Sequence, residues 1–221
     1  MKKRILAGIV GDLMGDGHLQ GHPKWRMDYT SKDTTELERF NNEINVLFGY
    51  KGKIRENKTN LYGVSFNLGI NNREIARYMY SLGVPAGNKV LQRFVIPAWI
   101  RNDKECFRRF AERLFTCEGC VDCFSKAIEI KMSKEVSLVK DGINFFKDIK
   151  KLLESYFGIK TTKPFLEGRK NKRKDGKVTV GVRMKIRRKE SIRLFQKEIG
   201  FENEEKKRKL ELIVKGLNRS G

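Results

Sequence analysis

The chain has 221 residues, in which 48 Lys and Arg outnumber 27 Asp and Glu, and its formal net charge is +21 at pH 7. This positive excess is spread along the whole chain and indicates a polyanionic partner. No apolar segment approaches the ~20 residues that a bilayer-spanning helix needs, so nucleic acid is favoured over a membrane as that partner.

The first predicted element is a helix at Ile5–Met14. Ala7, Gly11 and Gly15 recur every four residues and lie on one face, so the backbone can approach another helix closely. We therefore expect a partner helix. The basic and apolar start superficially resembles a signal peptide, but the apolar run stops at Asp12. We predict no targeting segment and expect a cytoplasmic protein, with an organelle left open.

Strands and a second helix follow. Trp25, Met27 and Tyr29 alternate with polar residues, which is the period of a half-buried strand. Asp33 is predicted to cap a helix that runs through Phe48. Two further strands are expected at 51–55 and 62–70. The second alternates between an apolar face (Tyr62, Val64, Phe66, Leu68 and Ile70) and an outward face (Gly63, Ser65, Asn67 and Gly69).

A connector at 84–100, interrupted by prolines, separates two segments with the same landmarks in the same order. Offsets of 102 residues relate Asp16-Gly17 to Glu118-Gly119 and Ser31-Lys32 to Ser133-Lys134. Larger offsets of 109 and 117 relate Leu47-Phe48-Gly49 to Tyr156-Phe157-Gly158 and Leu82-Gly83-Val84 to Ile199-Gly200-Phe201. A longer helix and a basic loop at 168–177 explain the two increases.

The sequence therefore predicts a duplicated fold, with a first repeat at residues 1–100, including the connector, and a second at 101–221. Each repeat has the order helix, two strands, helix, two strands, helix. In the second repeat, apolar residues of the strand at 178–186 alternate with Thr179, Gly181, Arg183, Lys185 and Arg187. One face of this strand is predicted to be core and the other cationic.

An acid follows the first helix of each repeat. Gly17 and Gly119 are predicted to be left-handed helix caps, which places Asp16 and Glu118 at the C-terminal ends of their helices. A carboxylate at that end of a helix loses ~0.3 to 1 kcal/mol, because the end already carries partial negative charge. A hard divalent cation such as Mg²⁺ reverses this effect, because carboxylates, helix-end carbonyls and phosphate oxygens become its ligands.

These helices carry the resemblance to a known family. The segment 9–17, IVGDLMGDG, resembles a LAGLIDADG motif, and 111–119, AERLFTCEG, resembles a second copy. The likeness spans nearly the whole chain, including Ile96-Pro97-Ala98-Trp99-Ile100 before the second motif. The sequence is thus similar to LAGLIDADG homing endonucleases of the monomeric two-motif type. The resemblance implies an α+β fold of two pseudo-symmetric αββαββα repeats, each with a curved antiparallel sheet, packed through the two motif helices.

The resemblance also implies a site. Asp16 and Glu118 match the family's metal-binding acids, and we expect them, with the carbonyls of Gly15 and Cys117, to hold Mg²⁺ or Mn²⁺. Each half would then cut one DNA strand across the minor groove. Lys32 and Lys134 are candidate catalytic residues near the scissile phosphates, and a solvated surface position is the alternative for both.

The second motif departs from the family pattern. Arg113 stands where a helix-packing glycine is usual, so it either snorkels to the interface edge or marks a degenerating motif. Cys117, Cys120 and Cys123 are spaced like metal ligands, but a fourth ligand with suitable local spacing is missing. We therefore interpret Cys117 as a small apolar residue near a helix end and the other two as reduced thiols in a strand or turn.

The implied sheets lie along the DNA major groove, and their outward residues are expected to contact it. In the first repeat these are Arg26, Asp28, Thr30, Lys51, Lys53, Arg55, Ser65 and Asn67, and in the second Glu129, Lys131, Arg183, Lys185 and Arg187. Basic loop residues are expected to bind phosphates without sequence discrimination, namely Arg169, Lys170, Lys172, Arg173 and Lys174.

The resemblance and the basic charge together predict a monomeric, site-specific, double-strand DNA endonuclease with a long DNA target. Two alternatives stay open: an RNA maturase that binds intron RNA and assists splicing, and a non-cleaving DNA-binding regulator. The chain shows no splicing motifs at its ends, which favours a free-standing or intron-encoded protein over an intein.

Overall fold

The structure, a computed structural model, describes residues 1–57 and 63–218. The first repeat contains α1 (Lys2–Met14), β1 (Gly17–Gln20), β2 (Arg26–Ser31), α2 (Thr34–Phe48), β3 (Lys53–Glu56), β4 (Phe66–Ile70) and α3 (Arg73–Ser81). A connector with a 3-10 turn (Lys89–Leu91) and the short helix α4 (Ala98–Arg101) follows. The second repeat contains α5 (Lys104–Glu118), β5 (Gly119–Asp122), β6 (Ala127–Glu135), α6 (Val139–Phe157), β7 (Phe165–Lys172), β8 (Val178–Ile186), α7 (Lys189–Glu198) and α8 (Glu204–Asn218).

Each repeat folds its strands into one four-stranded antiparallel sheet. The strand order is β1-β2-β4-β3 in the first repeat and β5-β6-β8-β7 in the second, so the two sheets have the same topology. The predicted α+β class and the αββαββα order are confirmed in both halves. Helix α8 is an addition to the second repeat.

The core lies between the sheets and the helices, because apolar side chains alternate along the strands. In β8, Val182, Met184 and Ile186 are buried, whereas Arg183 and Lys185 lie half-buried on the opposite face. From Val182 onward this is the division between core and cationic face that the sequence predicts, whereas at the start of the strand Val178 is exposed and Thr179 and Gly181 are buried, opposite to the prediction. Helix α6 covers the apolar face of this sheet, and α2 covers that of the first sheet.

The two repeats meet along α1 and α5. Gly11 is one point of close approach, since a Cβ atom there would lie 2.6 Å from the Phe110 carbonyl oxygen and 2.9 Å from Cβ of Arg113. A side chain of any size would therefore push the helices apart. The small-residue face of α1 thus has the partner helix that its spacing predicts.

The prediction that Gly17 and Gly119 are left-handed caps is wrong. Gly119 ends α5 in an extended conformation with φ −93°, and Gly17 already belongs to β1. Glycine is required there by space, because a Cβ atom at Gly17 would lie 2.8 Å from the Leu13 Cα atom. The left-handed caps are instead Gly49 and Gly158, with φ of 65° and 68°, at the ends of α2 and α6.

Two strand predictions also need correction. Strand β4 begins only at Phe66, so Val64 is exposed and Ser65 is buried, opposite to the predicted faces. Tyr62 lies outside the described residues. The first half of the basic segment expected as a loop at 168–177 is strand, because residues through Lys172 pair with β8, which leaves a turn at 173–177. Among the described residues, no helix is long and apolar enough to cross a bilayer.

Candidate functional site

The two acids lie together where the motif helices end. Helices α1 and α5 run parallel, since Gly8 lies against Arg109, Gly11 against Arg113, and Gly15 against Cys117. Asp16 follows the cap of α1, and Glu118 is the last residue of α5. The structure therefore brings the two predicted acids to one place.

Their surroundings disfavour ionisation of both carboxyls. Removal of water by neighbouring protein atoms raises the pKa of Asp16 and raises that of Glu118 to about 7, and the charge of Asp16 adds to the shift at Glu118. The Asp16 side chain is nevertheless exposed to solvent, because it lines an open cavity. A bound cation would relieve the repulsion between the two carboxylates.

Lys89 places a cation on the end of α1. Its Nζ atom donates hydrogen bonds to the carbonyl oxygens of Leu13 (3.2 Å), Gly15 and Gly17 (2.6 Å). Burial lowers the pKa of Lys89, although the nearby charge of Glu118 opposes that shift. The helix end is thus a cradle of oxygen atoms that accepts a positive charge, and it includes the Gly15 carbonyl expected to bind metal.

Lys206 places a second cation at the C-terminal end of α5. Its Nζ atom donates to the Thr116 carbonyl at 2.5 Å, and its charge acts on both acids. Lys89 and Lys206 are 117 residues apart, the offset that also relates Gly83 to Gly200. They therefore occupy equivalent positions in the two repeats. Extending the repeat alignment by six residues pairs the two lysines with each other, but nothing in the sequence places either of them at the acids.

The predicted catalytic lysines, Lys32 and Lys134, have different surroundings. Lys32 is exposed and lines an open cavity of about 420 Å³ together with Asp16 and Lys206. Lys134 is buried, with 3% of its surface exposed, and its Nζ donates to the carbonyl oxygens of Lys89 (2.6 Å) and Gln92 (2.9 Å). Burial lowers its pKa to about 8. Of the two, the structure places only Lys32 where a phosphate could reach it.

Arg113 is neutralised inside the protein rather than at its edge. The side chain is fully buried, its Nη2 donates to Glu43 at 2.7 Å, and its Nη1 lies 3.0 Å from a Glu202 carboxylate oxygen. The expectation of snorkelling is therefore wrong, because two carboxylates supply the compensating charge. A second buried pair lies beside it, in which Arg39 donates to Asp12 of the first motif at 2.9 and 3.0 Å.

The outward face of the first sheet is basic and open. An open groove of about 430 Å³ on this face is lined by Arg26, Asp28, Tyr50, Lys51, Lys53, Arg55, Asn67, Gly69 and Asn71. Thr30 accepts a hydrogen bond from Asn67 at 3.0 Å and lies on the same face. Ser65 is the exception among the predicted contacts, because it is buried and lines the cavity beside Asp16.

The second sheet carries cations that are partly paired. Glu129 is 5% exposed and binds both Arg183 and Lys185, so its expected contact with DNA does not agree with the structure. Lys131 pairs with Glu167 at 2.7 Å. Most of the remaining predicted residues of this half are exposed and extend the basic surface: Arg169, Lys170, Lys172, Lys174 and Arg187, with Arg173 partly buried and paired with Asp175.

The cysteines show no metal site. Cys117 lies in the last turn of α5 beside Tyr29, and Cys120 and Cys123 are exposed and free, in a strand and in the following turn. Within residues 1–57 and 63–218, no cluster of three or more His, Cys, Asp or Glu side chains could hold a metal. Any metal at the helix ends would therefore need backbone, water or phosphate oxygens in addition to the two acids.

Sequence comparisons agree with the resemblance. Residues 105–200 match the family described as LAGLIDADG-like domain. The chain is 28% identical over 225 residues to the tRNA-splicing ligase RtcB of Pyrococcus abyssi, which covers 96% of this chain and 23% of that protein. It is also 28% identical over 216 residues to a glutamine–fructose-6-phosphate aminotransferase of Methanocaldococcus jannaschii, covering 96% of this chain and 18% of that protein. The chain thus spans less than a quarter of the length of these relatives.

Solved structures show the same fold. Full-length DUF199/WhiA from Thermatoga maritima superposes with a TM-score of 0.59 at 15% identity, over 100% of this chain and 62% of that chain. A mesophilic variant of the homing endonuclease I-DmoI gives 0.58 at 16% identity, over 96% and 98%. The homing endonuclease I-WcaI, bound to its DNA recognition sequence, gives 0.54 at 12% identity, over 94% and 86%. The chain therefore has the LAGLIDADG fold, as the sequence predicts.

Proposed function

We propose that this protein, which carries a LAGLIDADG-like domain and the LAGLIDADG fold, is a site-specific double-strand DNA endonuclease that acts as a monomer. The observation that carries the proposal is the meeting of Asp16 and Glu118 at the parallel ends of α1 and α5, one acid from each repeat. Two basic sheets flank this point, and a net charge of +21 suits a duplex partner. The DNA-bound relative I-WcaI supports the same partner.

The donor atoms at the helix ends fit a hard divalent cation such as Mg²⁺ or Mn²⁺. Two carboxylates and a set of carbonyl oxygens converge there, and the Lys89 ammonium shows that the carbonyls of α1 already attract a cation. Asp16 and Glu118 would hold the metal, with Gly15 and Cys117 offering their carbonyl oxygens. When bound, such a metal polarises a phosphoryl group and activates water.

The protein's own cations would act around that point. Lys32 and Lys206 line the cavity beside Asp16 and would bind the oxygens of a backbone phosphate. Lys89 holds the end of α1 and offsets the charge of Glu118. Outward residues of the sheets, such as Arg26 and Asn67, and Arg187 just after β8, would bind base edges and phosphates along the duplex.

The activities of the curated relatives do not transfer to this chain. A ligase and an aminotransferase have no reaction in common, yet both share this segment, which is about a fifth of each of them. We infer that a segment shared by such different proteins has a function of its own. This pattern supports a nuclease of the homing type.

A non-cleaving DNA-binding protein of this fold is the second candidate, and one observation favours it. Lys89 occupies the Gly15 carbonyl that a metal would need, so the helix ends are neutralised without any metal. Retention of both acids argues for the nuclease, because a protein that only binds DNA gains nothing from two carboxylates facing a polyanion.

Cleavage of a randomised duplex library with Mg²⁺ tests the proposal. Wild-type protein is expected to cut both strands at one class of sites, whereas Asp16→Asn and Glu118→Gln are expected to bind those sites and leave them intact. Lys2→Ala, on the exposed start of α1, is the control expected to cut normally. Tight binding of one sequence by the wild type without any cutting would instead establish the non-cleaving protein.

A further inference from the structure

We propose that Lys134 is a positioning residue that holds Lys89 over the end of α1, and that it does not itself contact the scissile phosphate. The inference deepens the proposed nuclease function and rests on it where cleavage is concerned. Its structural part concerns only how the connector is fixed to the second repeat.

The contacts of Lys134 fix the turn that carries Lys89. The Nζ atom donates to the carbonyl oxygens of Lys89 and Gln92, which bracket the 3-10 turn at Lys89–Leu91. The same ammonium lies 3.7 Å from the centroid of the Phe94 ring, a cation–π contact that disfavours its departure. Release of Lys134 would leave two carbonyl groups in need of new donors.

The second repeat makes room for this side chain. Gly142 lies in the first turns of α6, and a Cβ atom there would lie 2.9 Å from Cγ of Lys134 and 3.0 Å from Cγ2 of Val182. Glycine inside a helix costs ~1 kcal/mol relative to alanine, so α6 loses stability where the Lys134 stem passes. The adjoining Asp141 binds Arg93 of the connector at 3.2 Å and reinforces the same attachment.

The equivalent residue of the first repeat is used differently. Lys32 is exposed, and within the part of the chain that the structure describes its side chain makes no hydrogen bond or ion pair. Lys32 lines the cavity beside Asp16. Lys134 does not line that cavity, and its ammonium binds the connector instead. Two lysines at matching repeat positions have thus diverged, one toward solvent and the other toward the backbone that presents Lys89.

The first experiment uses the protein without DNA and measures the chemical reactivity of Lys89. Reductive methylation with isotopic formaldehyde, read by mass spectrometry, is compared among wild type, Lys134→Met, Gly142→Ala and the control Lys32→Met. Loosening of the turn is expected to raise the Lys89 labelling rate at least about fivefold in the first two variants and to leave it unchanged in Lys32→Met. Unchanged labelling of Lys89 in folded Lys134→Met or Gly142→Ala overturns the proposal.

The second experiment measures single-turnover cleavage in a double-mutant cycle. If Lys134 acts through Lys89, Lys134→Met slows cleavage in the wild-type background and has no further effect in Lys89→Met. Lys32→Met is expected to remain additive with Lys89→Met. Additive losses for Lys134→Met would show a direct role and refute the proposal. If the wild type cuts no DNA, the nuclease function fails, but the labelling experiment still decides the role of Lys134.

Discussion

Replacement of Glu118 by Gln tests the cost of burying this carboxylate beside Asp16. The pKa of Glu118 is raised from 4.5 to about 7, so folding opposes ionisation of this carboxyl. Below pH 4.5 the group is protonated in both the folded and unfolded states and costs nothing. Between pH 4.5 and 7 only the unfolded state ionises, so stability falls as pH rises, and above pH 7 the full cost is present.

The size of the effect follows from the shift. Moving the pKa from 4.5 to about 7 corresponds to about 3 kcal/mol, and partial solvent exposure of Glu118 reduces the expected value to about 1 to 2 kcal/mol. Glu118→Gln should therefore be more stable than wild type by that amount at pH 8.5 and equally stable at pH 4.5. For a domain of this size the gain corresponds to a Tm higher by about 3 to 6 °C.

Thermal unfolding in EDTA, at both pH values, measures the difference. Addition of millimolar Mg²⁺ at pH 8.5 is expected to raise the Tm of wild type and not that of Glu118→Gln, because the metal needs the carboxylate. The matched control is Glu211→Gln, an exposed position in α8, where no change is expected at either pH. The reasoning is refuted if metal-free Glu118→Gln is no more stable than wild type at pH 8.5.

Three further predictions concern packing, charge and DNA binding. Gly11→Ala should lower the free energy of unfolding by about 1 to 3 kcal/mol, because the new Cβ atom would overpack against α5. Gly216→Ala should raise it by up to ~1 kcal/mol, because a Cβ atom there meets nothing within 4 Å. Urea denaturation measures both changes. Lys206→Met should slow single-turnover cleavage at least about tenfold while the Kd for DNA changes little, and equal losses in both would contradict a role at the acids. Lys170→Ala and Lys172→Ala should each lower the salt dependence of DNA binding by ~0.9 in slope without changing sequence preference, as measured by fluorescence anisotropy; an unchanged slope would exclude phosphate contacts.

The buried ion network explains how the second motif tolerates its departure from the family pattern. Arg113 would cost several kcal/mol if it were buried alone. Glu43 from the first repeat and Glu202 from the segment before α8 both bind it, so the charge is compensated. The backbone amide of Glu202 also donates to Thr116, whose carbonyl accepts from Lys206. The network therefore joins the two repeats and anchors the segment that delivers Lys206.

Much of the fold could be predicted from the sequence because its signals are local. The alternation in β8, the Asp33 cap of α2 and the glycine spacing of α1 depend on residues within a few positions of one another. Comparison of the repeats then predicted the order of elements in both halves. The prediction was wrong where a local pattern has two physical causes, as at Gly17, where glycine serves close packing and not a left-handed turn.

The sequence by itself determined the duplication, the two acids and the basic surface, because periodicity, spacing and charge are properties of the chain. Only the tertiary structure decided which cations surround the acids. Lys89 and Lys206 bind the ends of the motif helices from segments that lie far away in the sequence. The Lys134 side chain is buried against the connector. Glu43 and Glu202 both bind Arg113. Such meetings depend on the packing of whole repeats against each other, and no pattern within a short stretch of residues encodes them.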